Sequence, residues 1–443
     1  MEKRFVRYVS QNILGMLGNS AYILADTFFI ARAAGANGIA ALNLVLPIYS
    51  LIFAIGAMIG LGSATRFKVL RARKDGEADL YFSNGVYFCL LISVLFVAAG
   101  IFMPDKILAF LGGDEVIIGV GTPYTRIFLL FTPFFMLNYV FSAFVRNDDN
   151  PTLAMVATFS SSIFNIIMDY VFMFPLGMGM AGAALATAFS PVVGMLISSL
   201  HFFSKKSTVK FRVRSISVVR LIKSCALGVS AFVGEMASGV TTLVFNIILL
   251  KIAGNVGVAA YGIVANIALV CIAIFNGITQ GVQPLLSESY GKGDRASMKK
   301  LLKLSLITAF AFAIMMNGIS NLIPEEIVAV FNSEGNKEMS AYAVDGLQIY
   351  FIGFLFAGIN IVGTGYLSAT EAAVGALVSS ISRGFVAIAL CAVALATILG
   401  MTGVWLAFPA AEAITLLVML PFLWKARNHS AQVEALAAET VRK

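Results

Sequence analysis

Charge is what this sequence has least of. Only 12% of its 443 residues are Asp, Glu, Lys or Arg, while 59% are hydrophobic and the mean hydropathy is +0.90. A water-soluble domain carries about 25% charged residues and about 45–50% apolar ones. A core in water cannot absorb such a surplus of apolar side chains, whereas lipid can. Cysteine is also scarce: Cys89, Cys225, Cys271 and Cys391 all lie in apolar stretches. They read as small buried hydrophobes, which excludes a disulfide framework. The two histidines, His201 and His429, have no zinc-site spacing. No GxxxxGK[ST] loop occurs, so nothing points to ATP hydrolysis. No protease or kinase set appears, and no loop is long enough for a soluble catalytic domain. The chain is therefore read as a non-enzyme without a cofactor. Its basic start (Lys3, Arg4, Arg7) lacks a small-residue cleavage site and is read as leading into a retained first membrane helix.

What is abundant is long apolar runs. A bilayer core about 30 Å thick needs roughly 20 apolar residues in a helix. Twelve stretches meet that length, at 8–31, 39–65, 80–103, 120–144, 152–174, 180–203, 217–250, 257–285, 299–322, 340–369, 373–398 and 403–424. Barrel strands are shorter and alternate, so helices are required. With the N-terminus in the cytoplasm and alternating sides, only Arg32, Lys106, Arg126, Lys251 and Lys337 of the 31 basic residues fall outside. That is the asymmetry of the positive-inside rule. The net charge of +8 is thus mostly topology and lipid attraction, with no nucleic-acid partner. A multi-pass protein of the cytoplasmic (inner) membrane is expected, monomeric, with both termini inside.

The chain also repeats. Gly38–Leu42 matches Gly257–Tyr261 at an offset of 219, and Gly62 with Gly281 and Asp75 with Asp294 keep that register. Pro104 and Ile107 match Pro324 and Ile327 one residue later in offset. Six helices per half make the repeats parallel. The expected fold is an all-α polytopic membrane protein. Its twelve transmembrane helices form two parallel six-helix lobes, related by a pseudo-two-fold axis along the membrane normal. The expected division is a lobe at 1–203, a basic cytoplasmic linker at 204–216, a second lobe at 217–424 and a tail at 425–443. Two facing lobes suit an alternating-access transporter; a duplicated structural or receptor protein is the alternative.

Ionisable groups within membrane helices are costly and default to functional candidates. Asp26, Asp169 with Asn165 one turn before it, Glu235 and Glu412 stand out. The Asn165–Asp169 pair suits either a proton or a small hard cation. Asn138 and Thr187 extend this polar set in the first half, and Gln280 and Gln283 add amides in the second. For all of these, ordinary interhelical hydrogen bonding is the bland alternative. The 36 phenylalanines and 18 methionines are uninformative singly, though cavity-facing ones would suit flat organic cations.

The motifs Leu24–Ile30, Ala40-Ala41-Leu42 with Pro47, Gly60-Leu61-Gly62, Arg146–Pro151, Asn165–Asp169, Gln280–Pro284, Tyr290-Gly291 and Gly403–Pro409 occur in order across the whole chain. In this it resembles the multidrug and toxic compound extrusion (MATE) transporter family, and locally the DinF-type and MepA-like branches. The resemblance implies export of organic cations, drugs or toxic compounds, driven by H⁺ or Na⁺. It implies a first-lobe cation site at Asp26, Asn165, Asp169 and Thr187, with Asn138 and Ser142 competing for a further place, and possible Na⁺ at Asp26, Asn165 and Asp169. It matches Glu235 to a second-lobe acid, whereas a helix 10 acid has no counterpart in 340–369. Asp149 stands where the family usually has Gly. A flippase of a lipid-linked precursor, an exporter of one metabolite, and a non-transporting sensor or assembly protein remain alternatives. The scarcity of mid-membrane Lys and Arg, Arg126 and Arg383 apart, argues against phosphate-bearing headgroups.

Overall fold

The computed structural model describes residues 1–213, 216–332 and 336–442; Arg214 and Lys443, two of the basic residues counted above, lie outside them. Every regular element among the described residues is helical. Backbone N–H and C=O groups in lipid must be satisfied within the segment, and the helix does this. Among the described residues, ten helices are long and apolar enough to cross a membrane, or up to eleven if one bent pair counts as a span. The protein is an all-α, multi-pass membrane protein.

Several expected spans have internal breaks with identifiable causes. The expected 120–144 span is two helices, Glu115–Leu130 and Thr132–Asn147, which meet at 47° around Phe131. Pro133 sits in the first turn of the second helix, where its missing N–H costs nothing but a straight continuation is barred. The 340–369 span carries a 3₁₀ turn at Phe351–Gly353, and the 373–398 span a π-helical turn at Ser382–Val386. The 217–250 and 257–285 stretches form one run, Val218–Gly291, broken at Gly254 (φ 60, ψ −150). Gly35 (φ 60, ψ −155) breaks Glu2–Ala72 in the same way. Only glycine adopts this backbone region without strain.

These breaks repeat along the chain. Lys74 and Gly293, 219 apart, both have positive φ, as do Asp149 and Glu371, 222 apart. Short proline-led helices follow at Pro104–Phe110 and Pro324–Phe331. The next helices are capped by Asp114 and Asn336, also 222 apart, whose side chains accept from Ile117 N–H and Met339 N–H at 2.8 and 3.0 Å. The register found in sequence therefore continues, with the offset growing from 219 to 220 at the short helices and to 222 beyond them.

The chain forms two compact units, Val6–Glu235 and Met1–Phe5 with Met236–Lys443. Within the first, a buried core runs from Ile30 through Phe67, Phe128 and Phe144 to Val209. Two glycines allow its helices to approach closely: a Cβ on Gly62 would overlap the Ser224 carbonyl oxygen, and one on Gly228 would overlap that of Met58. The polar segment after His201 is laced onto this unit. Thr208 N–H donates to Asp148 Oδ2 at 2.8 Å, Lys210 N–H to Asp79 Oδ1 at 3.2 Å, Arg212 N–H to Ser83 Oγ at 2.7 Å and Ser217 N–H to Asn84 Oδ1 at 2.7 Å. Between them Val209 turns inward and is buried. This is the two-residue period of an extended chain, with side chains in place of a neighbouring strand.

Candidate functional site

Three helices bring the first-half candidates together. Asp26 comes from Glu2–Gly35, Asn165 and Asp169 from Pro151–Met173, and Thr187 from Gly179–Phe202. Asn165 and Asp169 lie one turn apart on one face. All four are buried, with Asp26 at 8% exposure and Asp169 at 0%. With the Asn165 amide oriented so that both ends are satisfied, its Nδ2 donates to Asp169 Oδ2 at 3.1 Å and its Oδ1 accepts from Thr187 N–H at 3.3 Å. The Asp26 and Asp169 carboxyls lie within hydrogen-bonding reach of each other. The Oδ1 atom of each is buried without a donor. Two desolvated carboxylates in contact repel strongly, and among the described residues no Lys or Arg side chain pairs with either. A proton held between them, or a bound cation, relieves that repulsion. In this orientation Asn165 turns its donor toward Asp169.

Tyr22 and Tyr49 lie near this pair, a feature the sequence analysis passed over. Tyr22, one turn before Asp26, pairs with the hydroxyl of Tyr49, and Tyr22 feels the charges of Asp26, Asp169 and Glu235. The i, i+4 spacing of Tyr22 and Asp26 was the available signal, but a lone Tyr on an apolar face is more often core. Tyr49 stacks on Phe128 at 4.4 Å and packs against Phe53 at 4.3 Å.

Other candidates lie apart from the acid pair. Asn138 is half-buried, with its Oδ1 against Gly194. Glu235 falls in the first compact unit, where its Oε1 accepts from Tyr139 Oη at 3.4 Å. Gln283 Nε2 donates to Ser287 Oγ at 3.0 Å, and Ser287 Oγ to the Ala369 carbonyl at 3.2 Å. Gln280 is half-buried. Glu412, 2% exposed, accepts from Arg383 Nε at 2.6 Å and from Asn360 Nδ2 at 2.7 Å.

The Arg146–Pro151 motif is structural. Arg146 Nη1 donates to Asn12 Oδ1 at 2.9 Å, and Asn150 caps the following helix through Leu153 N–H at 3.2 Å, with Pro151 in its first turn. Asp149 has φ 62, which explains a glycine preference at this place. Here its carboxylate accepts from Tyr8 Oη at 2.9 Å and pairs with Lys68 at 3.0 Å.

A family model described as MatE matches residues 12–171 and 230–393. The chain belongs to the MatE family. The resemblance to multidrug and toxic compound extrusion transporters is thus borne out, and the protein is a transporter rather than an enzyme. Among its relatives is a multidrug export protein MepA of Staphylococcus saprophyticus, 27% identical over 94% of this chain and 92% of that protein. Another, from Staphylococcus haemolyticus, is 27% identical over 96% and 94%. Solved structures with the same fold include an outward-facing multidrug resistance MATE family transporter of the MOP superfamily, at a TM-score of 0.90 and 21% identity over 98% of this chain and 96% of that one. A MOP superfamily transporter from Pyrococcus furiosus gives 0.88 at 21% identity, over 98% of this chain and 96% of that one.

Proposed function

We propose that this MatE-family transporter exports small organic cations, drugs or toxic compounds by alternating access, with H⁺ or Na⁺ flowing inward as the driving ion. The observation that carries the reading is the buried contact of Asp26 with Asp169 and the orphaned oxygen on each. Entry of a proton or Na⁺ removes the repulsion between the two carboxylates and changes how the Glu2–Gly35 helix sits against Pro151–Met173 and Gly179–Phe202. Coupling requires only that the ion and the substrate favour different states. Asn165 and Thr187 hold Asp169 in place, and Tyr22 sits beside Asp26. The export relatives named above support the substrate class.

The same reading includes twelve spans in two parallel six-helix lobes, with 204–216 between them, a cytoplasmic tail from 425 and both termini inside an inner membrane. Val218–Gly291 supports this count. Its 74 residues at about 1.5 Å each far exceed one bilayer, and Gly254 divides it at the position matching Gly35. A monomer surrounded by lipid is sufficient for this scheme.

The test is a proteoliposome assay in which a fluorescent organic cation is followed under an imposed H⁺ gradient alone, then a Na⁺ gradient alone. Extrusion under one gradient, lost in Asp26→Asn and Asp169→Asn, supports the reading. Full gradient-driven flux in either variant overturns the assigned role.

A further inference from the structure

The second unit holds a buried ionic cluster that the coupling scheme leaves unused. Glu412 on Met401–Arg442, Arg383 on the π-helical turn Ser382–Val386 and Asn360 on Phe354–Ala369 converge from three helices. Arg383 Nε lies 2.6 Å from Glu412 Oε1, and Asn360 Nδ2 donates at 2.7 Å both to Glu412 Oε2 and to its carbonyl oxygen. Tyr350 is a further titratable group beside this cluster. Ser382 and Thr415 close it with a 3.2 Å hydroxyl contact.

The repeat register shows what this cluster replaces. At the 222-residue offset shared by Asp149 with Glu371 and Asp114 with Asn336, Asn360 corresponds to Asn138 and Arg383 to Ser161; the positive-φ glycines Gly179 and Gly400 then match at 221, so Glu412 corresponds to Pro191. In the first unit the same region is neutral: Ser161 Oγ donates at 2.6 Å to the carbonyl of Ser190, which precedes Pro191, and Asn138 lies beside Ser161 at Gly194. The acid pair itself has no repeat partner, since Asp26 corresponds to Phe245 at offset 219 and Asp169 to Cys391 at 222. The second unit therefore has its acid at a different place from the first, and gives it a charged partner. A π turn adds one residue to the helix and rotates the side chains after it. It is this turn that carries Arg383.

We infer that the Arg383 guanidinium is a covalently tethered cation that permanently occupies the place a free ion would take at Glu412. The acid in the second unit is thereby closed to coupling ions, and those ions act in the first unit. This rests on the reading of Asp26 and Asp169 as the coupling pair. The Nε contact to a carboxylate held also by Asn360 is a charge-assisted pair whose removal on one side leaves a buried carboxylate without a counter-charge.

The experiment uses the full chain in lipid nanodiscs with Asp26→Asn and Asp169→Asn already present, so that ion binding at the first pair cannot contribute. Thermal unfolding is followed in Na⁺ against choline at constant ionic strength, and across pH. The background should unfold at the same temperature in both salts. Adding Arg383→Gln should lower the midpoint in choline by several degrees, with recovery in Na⁺ or at acidic pH. Adding Glu412→Gln as well should abolish that dependence, and Arg383→Lys should never acquire it. If Arg383→Gln does not fold, Arg383→Ala is purified with and without guanidinium ion, and restored yield with guanidinium supports a tethered cation. An Arg383→Gln chain indifferent to Na⁺, pH and guanidinium overturns the inference, as does a background whose Na⁺ response vanishes with Glu412→Gln. Failure of Asp26→Asn to affect transport would instead strike the coupling reading alone.

Discussion

Gly35 and Gly254, 219 residues apart, share one backbone conformation, φ 60 with ψ −155 and −150, and each breaks a long helical run. No heavy atom lies within 4 Å of a Cβ built at either position. Their requirement is therefore conformational, not steric. Gly35→Ala and Gly254→Ala should each cost about 1–3 kcal/mol through backbone strain. A lowered unfolding midpoint in detergent for both variants, of similar size, checks this. An unchanged midpoint would contradict it.

Gly62 and Gly228 pose the opposite case, helical glycines in crowded surroundings. Each would drive a Cβ into a backbone carbonyl across the helix contact, and a backbone does not yield as a flexible side chain does. Gly62→Ala and Gly228→Ala are expected to cost about 1–3 kcal/mol by overpacking, with the double variant less than additive because both sit at one contact. Unfolding midpoints of the two singles and the double form the cycle that tests it.

Neutralising the acid pair should uncouple transport while leaving the fold intact. Asp26→Asn removes a charge from a buried pair, so the variant should be as stable as the parent or more so. Gradient-driven export should fall by roughly tenfold or more. Export measured beside unfolding separates this outcome from simple misfolding.

The Asp148 anchor makes the 204–217 segment sensitive to acid. Burial pushes the Asp148 carboxyl up, but hydrogen bonds from His201 and Thr208 outweigh it and hold the group below the ordinary carboxylate range. Its stabilisation is therefore full above the unfolded value of about 3.9 and is lost as pH falls through the lower folded value. Asp148→Asn should cost about 1.5–3 kcal/mol of docking near neutrality. Trypsin should then cut faster at Lys205, Lys206, Lys210 and Arg212. With an acid-active protease, the difference between variant and parent should close below the folded value.

Hydropathy alone revealed an all-α, multi-pass membrane protein, because apolar length is a matter of composition. The buried acids Asp26 and Asp169 were visible for the same reason, as expensive residues in an apolar run. Partners were not visible. Glu412 and Arg383 lie 29 residues apart on successive helices, and whether they meet depends on helix rotation, which a π turn at Ser382–Val386 alters without a composition signal. Pro133 marked a place where bending is permitted, but proline occurs in straight and kinked membrane helices alike, so the 47° bend at Phe131 did not follow from it. Glu235 was matched to a second-lobe acid by family resemblance; its hydroxyl partner Tyr139, 96 residues earlier, carried no sequence signal. The glycine usually found at position 149 was noted as a family habit; the positive φ there supplies its physical cause.

Opening the chain between the exposed Lys205 and Lys206 would leave the following segment still fastened by Thr208, Lys210, Arg212 and Ser217 to side chains upstream of the cut. The downstream fragment would then carry its own docking peptide, with Val209 as the plug. Two separately expressed halves opened at this point would reassemble without a covalent joint. Halves opened after Ser217 would have the docking peptide on the wrong piece and would depend on helix packing alone to find each other.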